Sequence, residues 1–277
     1  MAVKTVEIDN LINGQLYGFR MFPRNLKGQY QTRDDRGTAT ATPVAFSLPT
    51  YTGQHAIFGD INEGRIEMYT SGTLTLSPAT YDMFVVGGGG GTWRVSTMLN
   101  GGGGGYTNTI KNHTIESIFV LSTYIGSGSS NNGSVTKIGN IISAEGGKNG
   151  VFDKGDGGSG GGSSNASNSS GGYNGGSDGS DGGGSGGGTG QHTTTRAFGE
   201  PTGTLYAGGG GGGSNFDNRG GSGGAGGGGD GGDTVRSGKN GTPNTGGGAG
   251  VTSGYVESAD ATHLGGSGIA IVRLKRN

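Results

Sequence analysis

Apolar positions cluster in short β-like segments separated by polar turns. Residues 16–22, Leu-Tyr-Gly-Phe-Arg-Met-Phe, follow the turn-prone pair Asn13-Gly14, and residues 30–32 follow a second turn signal at 25–28. Together they predict a hairpin. Residues 44–48, 55–58, 65–69 and 73–76 alternate in polarity or favour strand-forming types. The strongest strand signal is residues 81–86, Tyr-Asp-Met-Phe-Val-Val, which run directly into five glycines. Residues 115–124 are again β-branched and aromatic, and the chain closes on Ile269-Ala270-Ile271-Val272-Arg273-Leu274. No apolar stripe of helical period occurs, so helices are not expected.

Composition changes how the rest of the chain is read. Of 277 residues 71 are glycine, and apolar residues make up 28%. Residues 1–86 hold eight glycines and residues 87–277 the other 63. Such a bias normally signals disorder, or collagen where Gly recurs at every third position with abundant Pro. Here Pro numbers six and glycines occur in solid runs, 87–91, 101–105 and 208–213. A strand enters this region and a strand leaves it. Residues 269–274 are therefore expected beside 81–86 or 73–76, which ties the glycine-rich part at both ends.

Between the runs, non-glycine residues fall three apart, as at Asp156 and Ser159, Ser222 and Ala225, and Asp230 and Asp233. Three residues is the period of the extended left-handed helix, which has no internal hydrogen bonds. Its amides need partners on neighbouring rods. An interior rod must be nearly all glycine, whereas an edge rod can carry one solvent-facing side chain per turn. The expected fold is all-β, an antiparallel β base carrying a polyglycine II sandwich, with essentially no α-helix. The expected division is a docking hairpin (1–42), a β base (43–86), a polyglycine II sandwich with inserted loops and a strand near 115–124 (87–268), and a returning strand (269–277).

Most chemistry is excluded on residue types. Cysteine is absent and net charge is −1, so thiol chemistry is impossible and no global basic field invites nucleic acid. No apolar run approaches the roughly 18 residues of a membrane span, and residues 1–11 lack an apolar signal core. Both Gly-Lys pairs, at 147–148 and 238–239, continue with Asn, so no Walker loop forms. Residues 228–235 fit a single copy of a calcium β-roll repeat, a structure that needs stacked copies; Asp230 and Asp233 read as solvent-facing edge residues. The histidines at 55, 113, 192 and 263 lack ligand spacing. No catalytic residue, cofactor or metal site is expected.

Specificity on a glycine slab must come from side chains stranded among the glycines. The candidates are Trp93 with Arg94, Tyr173 with Asn174, His192, Arg196 and Phe198, the stretch Asn215, Phe216, Asp217 and Arg219, Lys239, and Tyr255 with His263. Interfaces enrich aromatic residues and Arg. Phe216 has the best case for a displayed anchor, and Tyr206, beside six glycines, reads as a scaffold plug.

The flanking segments carry a resemblance. Ser71-Gly72-Thr73-Leu74-Thr75-Leu76, residues 81–91, Gly199-Glu200-Pro201-Thr202-Gly203-Thr204-Leu205-Tyr206-Ala207, and Gly265-Gly266-Ser267-Gly268-Ile269-Ala270-Ile271-Val272-Arg273 are similar to the flanks of glycine-rich phage tail proteins. The lattice resembles the tip adhesins of T-even-type tail fibres, in which a polyglycine II sandwich displays receptor loops. Residues 13–20 with 28–30 resemble a remnant of a fibronectin type III domain. The resemblance implies a phage or prophage tail tip protein on the virion tail, made in the host cytoplasm without a signal peptide. It would bind a bacterial cell-surface receptor, glycan or protein. Other implied partners are tail proteins and further copies of the chain, as in a trimer. The implied protein is not an enzyme, binds no nucleic acid and inserts in no membrane. A purely structural tail protein and a glycan-degrading enzyme are the rival readings.

Overall fold

The computed structural model describes residues 17–20, 38–41, 48–59, 64–93, 100–150, 154–164, 171–215, 220–252 and 262–275. The chain divides into two units, residues 1–47 and 48–277. In the first, β1 (Tyr17–Arg20) pairs antiparallel with β2 (Thr38–Ala41), Tyr17 facing Ala41. The aromatic run thus forms the expected strand. Its partner, however, is 38–41 rather than 30–32, which lie outside the described residues, as do 44–47.

The second unit is built on two antiparallel five-stranded sheets. Its strands are β3 (Thr50–Tyr51), β4 (His55–Phe58), β5 (Arg65–Met68), β6 (Gly72–Leu76), β7 (Ala79–Val86), β8 (Thr92–Trp93), β9 (Thr107–Ile115), β10 (Phe119–Tyr124), β11 (Thr136–Ile138), β12 (Ile142–Ala144), β13 (Thr262–His263) and β14 (Ile269–Lys275). One sheet has the order β12-β11-β10-β6-β3 and the other β4-β5-β14-β7-β9; β8 and β13 form a separate short pair. The fold is all-β. Its helical content among the described residues is a single 3-10 turn, Ala197–Gly199.

The C-terminal strand returns as the sequence requires, lying between β5 and β7 with Ile269 opposite Val86 and Lys275 opposite Thr80. The segment expected as one strand over 115–124 is instead the end of β9, a turn, and β10. The first eight residues of β9, Thr-Asn-Thr-Ile-Lys-Asn-His-Thr, are mostly polar and escaped prediction because much of the strand faces solvent.

Alternation in β7 explains the packing. Met83 and Val85, with Ile66 and Met68 of their own sheet, pack against Leu74, Leu76, Leu121 and Ile138 of the other sheet in one buried cluster. Phe84 and Val86 face the opposite way, against Ile269, Ile271, Phe198 and Tyr206. The strand is covered on both faces, which is why it reads as a continuous apolar run. Tyr206 is the plug its sequence position suggested, its ring centroid 5.4 Å from that of Phe84.

The glycine region grows out of the ends of these strands. Where β7 ends, Gly87 donates its N–H to the Tyr106 carbonyl at 3.0 Å, and Gly90 donates to Gly103 at 2.9 Å. Gly88 and Gly91 donate to Ser134 and Asn131, and Gly89 donates to Gly266. Residues three apart therefore bond to the same neighbour, and successive residues bond to different ones. The next rod repeats this: Gly101 and Gly104 donate to Gly162 and Ser159, Gly102 and Gly105 to Ala249 and Gly246, and Gly103 and Tyr106 to Lys148 and Glu145. This three-way ladder is the hydrogen-bond pattern of packed polyglycine II rods, and it gives partners to amides that the isolated extended helix leaves unpaired.

Close approach explains the composition. A Cβ on Gly89 would overlap the carbonyl oxygen of Gly247, and one on Gly104 the carbonyl oxygen of Ala207. Each obstacle is backbone on an adjacent rod, so relief requires separating the rods.

Candidate functional site

Side chains reach the surface where rods lie at an edge of the slab. Ser222 and Ala225, three apart, are both exposed as expected of an edge rod. Ser159 departs from its expected place: it is fully buried, and its Oγ accepts the N–H of Gly179 at 3.1 Å.

One polar edge surrounds a cleft of about 270 Å³ lined by Gly220, Gly221, Ser222, Asp230, Gly231, Arg236, Ser237 and Lys239. Asp230 accepts the Gly223 N–H at 2.9 Å through Oδ1 and the Lys239 Nζ at 2.8 Å through Oδ2. The Lys239 ammonium, then the Gly223 amide, hold the Asp230 carboxyl below its ordinary value against a smaller effect of burial. Asp233 sits behind Arg236, accepting its Nε at 2.9 Å and Nη2 at 2.7 Å, with the N–H of Val235 and of Arg236 on the other oxygen. Burial pushes the Asp233 carboxyl up, but Arg236 and the two amides outweigh it and the net direction is down. The solvent-facing reading of these aspartates is thus corrected for Asp233, whose side chain is 1% exposed. Asp233-Thr234-Val235-Arg236 is a tight turn closed by its own ion pair.

Two of the sequence candidates adjoin the cleft wall. The Asn174 Oδ1 accepts the Ser222 N–H at 2.9 Å, and the Tyr173 carbonyl accepts the Gly212 N–H at 2.9 Å. The Tyr173 side chain is exposed, with Gly183 and Gly184 packed against it. Lys239 is in the lining itself.

A second cluster gathers His192 and Arg196. The His192 Nε2 lies 2.7 Å from the Asp181 Oδ1, and the Arg196 Nε donates to the Asp178 Oδ2 at 3.1 Å. The Gly190 N–H, then the His192 ring, lower the Asp181 pKa, while the Thr194 hydroxyl leads the lowering at Asp178. Trp93 belongs to a third place, opposite Thr262 in the β8–β13 pair.

Two candidates are corrected. Phe198 is 3% exposed, packed in the core with Phe84 and Tyr206, and His263 is 7% exposed with its Nε2 2.5 Å from the Thr252 Oγ1. An aromatic ring beside small residues can fill a scaffold as readily as face a ligand; here Phe198 packs on the sheet and His263 is buried in β13 against Thr252. Asn215 is partly exposed. Arg94, Phe216, Asp217, Arg219 and Tyr255 lie outside the described residues.

With rods, strands and edges placed, the whole stretch from Tyr69 to Lys275 behaves as one construction, and a family model described as a glycine-rich domain matches residues 69–275. The chain belongs to this glycine-rich domain family. No curated protein matches it. In the glycine-rich domain, no group of three His, Asp or Glu side chains comes together among the described residues. Nor is any described helix long and apolar enough to cross a membrane. Sequence reasoning missed Ser222, Arg236 and Ser237 as cleft residues. Arg236 follows Asp233 by three, a spacing that signals an ion-paired turn, but serines beside glycine carry no comparable signal.

Proposed function

We propose that this glycine-rich domain protein is a phage or prophage tail tip protein that binds a bacterial surface receptor, glycan or protein, without covalent chemistry. The observation that carries the reading is the division of labour in the lattice. The interior rods are glycine and their amides bond to neighbours on three sides, while Ser222, Asp230, Arg236, Ser237, Lys239 and the Tyr173 side chain stand at the surface. Such a scaffold holds recognition groups rigid, so less ordering entropy is lost on contact. Many copies on one virion would add weak contacts into avidity. The protein acts on the virion tail, beside other tail proteins, and turns over no substrate.

A second reading, a structural tail protein, is favoured by one observation. The turn before β10 and the strand itself expose apolar residues, Ile118 at 66% and Val120 at 60%, a composition suited to subunit packing. The two readings separate in a binding assay. Purified full-length chain is expected to bind intact cells of a host strain within a broad panel of bacteria. Absence of binding to every strain, together with stable assembly onto tails, would replace the receptor reading by the structural one.

A further inference from the structure

We infer that the cleft bounded by Ser222, Asp230, Arg236, Ser237 and Lys239 binds a neutral, hydroxyl-rich sugar ring of a surface glycan. The inference rests on the receptor reading above and names the chemistry of its ligand.

Charge excludes the first alternative. Both cations of the cleft are committed to carboxylates, Lys239 to Asp230 at 2.8 Å and Arg236 to Asp233 at 2.7 Å. The two cations are balanced by two carboxylates, so the cleft has no net charge to draw an anion, and an anion would also meet the Asp230 carboxylate; a neutral ligand meets no such repulsion. Apolar surface excludes the second alternative. Glycines and polar groups line the cleft, so it offers no apolar pocket for a peptide's anchor residue.

What remains is hydrogen-bonding capacity of both senses. The Lys239 ammonium carries three donors and gives one to Asp230. Arg236 directs Nε and Nη2 to Asp233, and its Nη1 bonds to no described residue. The oxygens of Asp230 accept one bond each from Gly223 and Lys239, leaving lone pairs for a hydroxyl. Ser222 and Ser237 are exposed and add hydroxyls that donate or accept. Gly220, Gly221 and Gly231 complete the wall with rod backbone. At about 270 Å³ the space is just below the usual small-molecule range, suited to about one or two pyranose rings.

The test uses the full chain, saturation-transfer NMR and calorimetry. The ligands are neutral oligosaccharides of glucose, galactose and N-acetylhexosamine, with a glycerol-phosphate teichoic acid fragment in parallel. At least one neutral sugar is expected to bind. Lys239→Ala and Ser237→Val are each expected to weaken it about tenfold, the loss of one well-made hydrogen bond, and Glu116→Ala to leave it unchanged. Ser237→Val keeps both ion pairs, so it reports on the site even if Lys239→Ala disturbs the edge. Cell binding without any neutral-sugar binding overturns the cleft assignment and spares the receptor reading. Sugar binding without cell binding does the reverse. Binding of the teichoic acid fragment alone, or sugar affinity indifferent to both variants, also overturns the assignment.

Discussion

The Arg273 guanidinium lies 4.0 Å from the centroid of the Phe198 ring, and this contact joins the last strand to the segment that crosses over it. Arg273 also bonds Asp82 through Nε and Nη2 at 3.1 and 2.8 Å, and Glu200 through Nη1 and Nη2 at 3.1 and 2.6 Å. Phe198 holds a left-handed backbone, φ +56°, without being glycine. Such a residue carries about 1–3 kcal/mol of strain, which the packing of Phe84 and Tyr206 and the stacked guanidinium offset.

Removing the arginine should therefore cost more than a surface charge does. The Asp82 side chain is 2% exposed, and Arg273→Ala leaves its carboxylate with the Asn112 N–H as its hydrogen bond among the described residues and the more distant charge of Lys275. Buried pairs broken on one side lose about 3–5 kcal/mol, and partial exposure of the arginine brings the expectation to about 3 kcal/mol. Urea unfolding of Arg273→Ala, Phe198→Ala and the double variant should show losses that do not add, because both remove the same clamp. Additive losses would mean the contact carries no coupling.

Acid should loosen the same clamp. Burial raises the Asp82 carboxyl, but the Asn112 amide and Arg273 bring it net below its ordinary 3.8, and Arg273 lowers Glu200 below 4.5. Lowered folded values mean stability fully present above the ordinary carboxylate range and lost as pH falls through the folded values. Asp178, Asp181, Asp230 and Asp233 are lowered as well. At the alkaline end burial pushes Tyr51, Tyr81 and Tyr206 up to about 12. Their contribution is whole below the ordinary value of 10 and is lost between there and about 12. Melting temperature against pH should form a plateau falling on both sides. The acid fall should be shallower in Asp82→Asn, and an equal fall would remove Asp82 from the account.

Much of this architecture can be read from residue order because its two interiors leave different marks. The sandwich core writes itself as apolar strands, and 81–86 and 269–274 announce each other across the glycines. The rods write themselves as an absence of side chains, since a Cβ has nowhere to go. What the sequence conceals is rod adjacency. Gly87 could bond any rod, and nothing in its neighbours selects Tyr106 except the prior pairing of Val86 with Thr107. The site is harder still, because Phe198 sits in a polar stretch, Thr-Thr-Thr-Arg-Ala-Phe-Gly-Glu, whose composition gives no sign of burial. Burial of Phe198 depends on where residues 195–206 cross the sheet, which is long-range information.

Interior and edge positions should respond oppositely to one added or lost methyl-sized group. Gly104→Ala places a Cβ on the Ala207 carbonyl oxygen and forces two bonded rods apart, so a loss of at least the roughly 1–3 kcal/mol typical of overpacking is expected. Ser222→Ala, on the exposed edge, should stay within about 0.5 kcal/mol. Thermal unfolding of the two variants beside the parent checks the contrast. Equal tolerance at both positions would mean the rods are not in contact.

Amide exchange gives the most direct reading of the lattice. In a flexible glycine tract every N–H meets water and exchanges at the rate of an unfolded peptide. In the slab the N–H groups of residues 87–91, 101–105 and 208–212 all donate to carbonyls of other rods at 2.7–3.1 Å. Release of one such amide requires local separation of neighbouring rods, so these residues should exchange at rates approaching those of β7 and β14. At the edge the pattern should break: Ala225 N–H rests on the exposed Ser177 hydroxyl at 2.7 Å, and a single side-chain acceptor at the surface opens without moving any rod. Residue-resolved exchange by NMR should therefore give slow amides in the three runs and a fast one at Ala225. Fast exchange throughout the runs, with the sandwich strands still protected, would dissolve the lattice while leaving the β base intact.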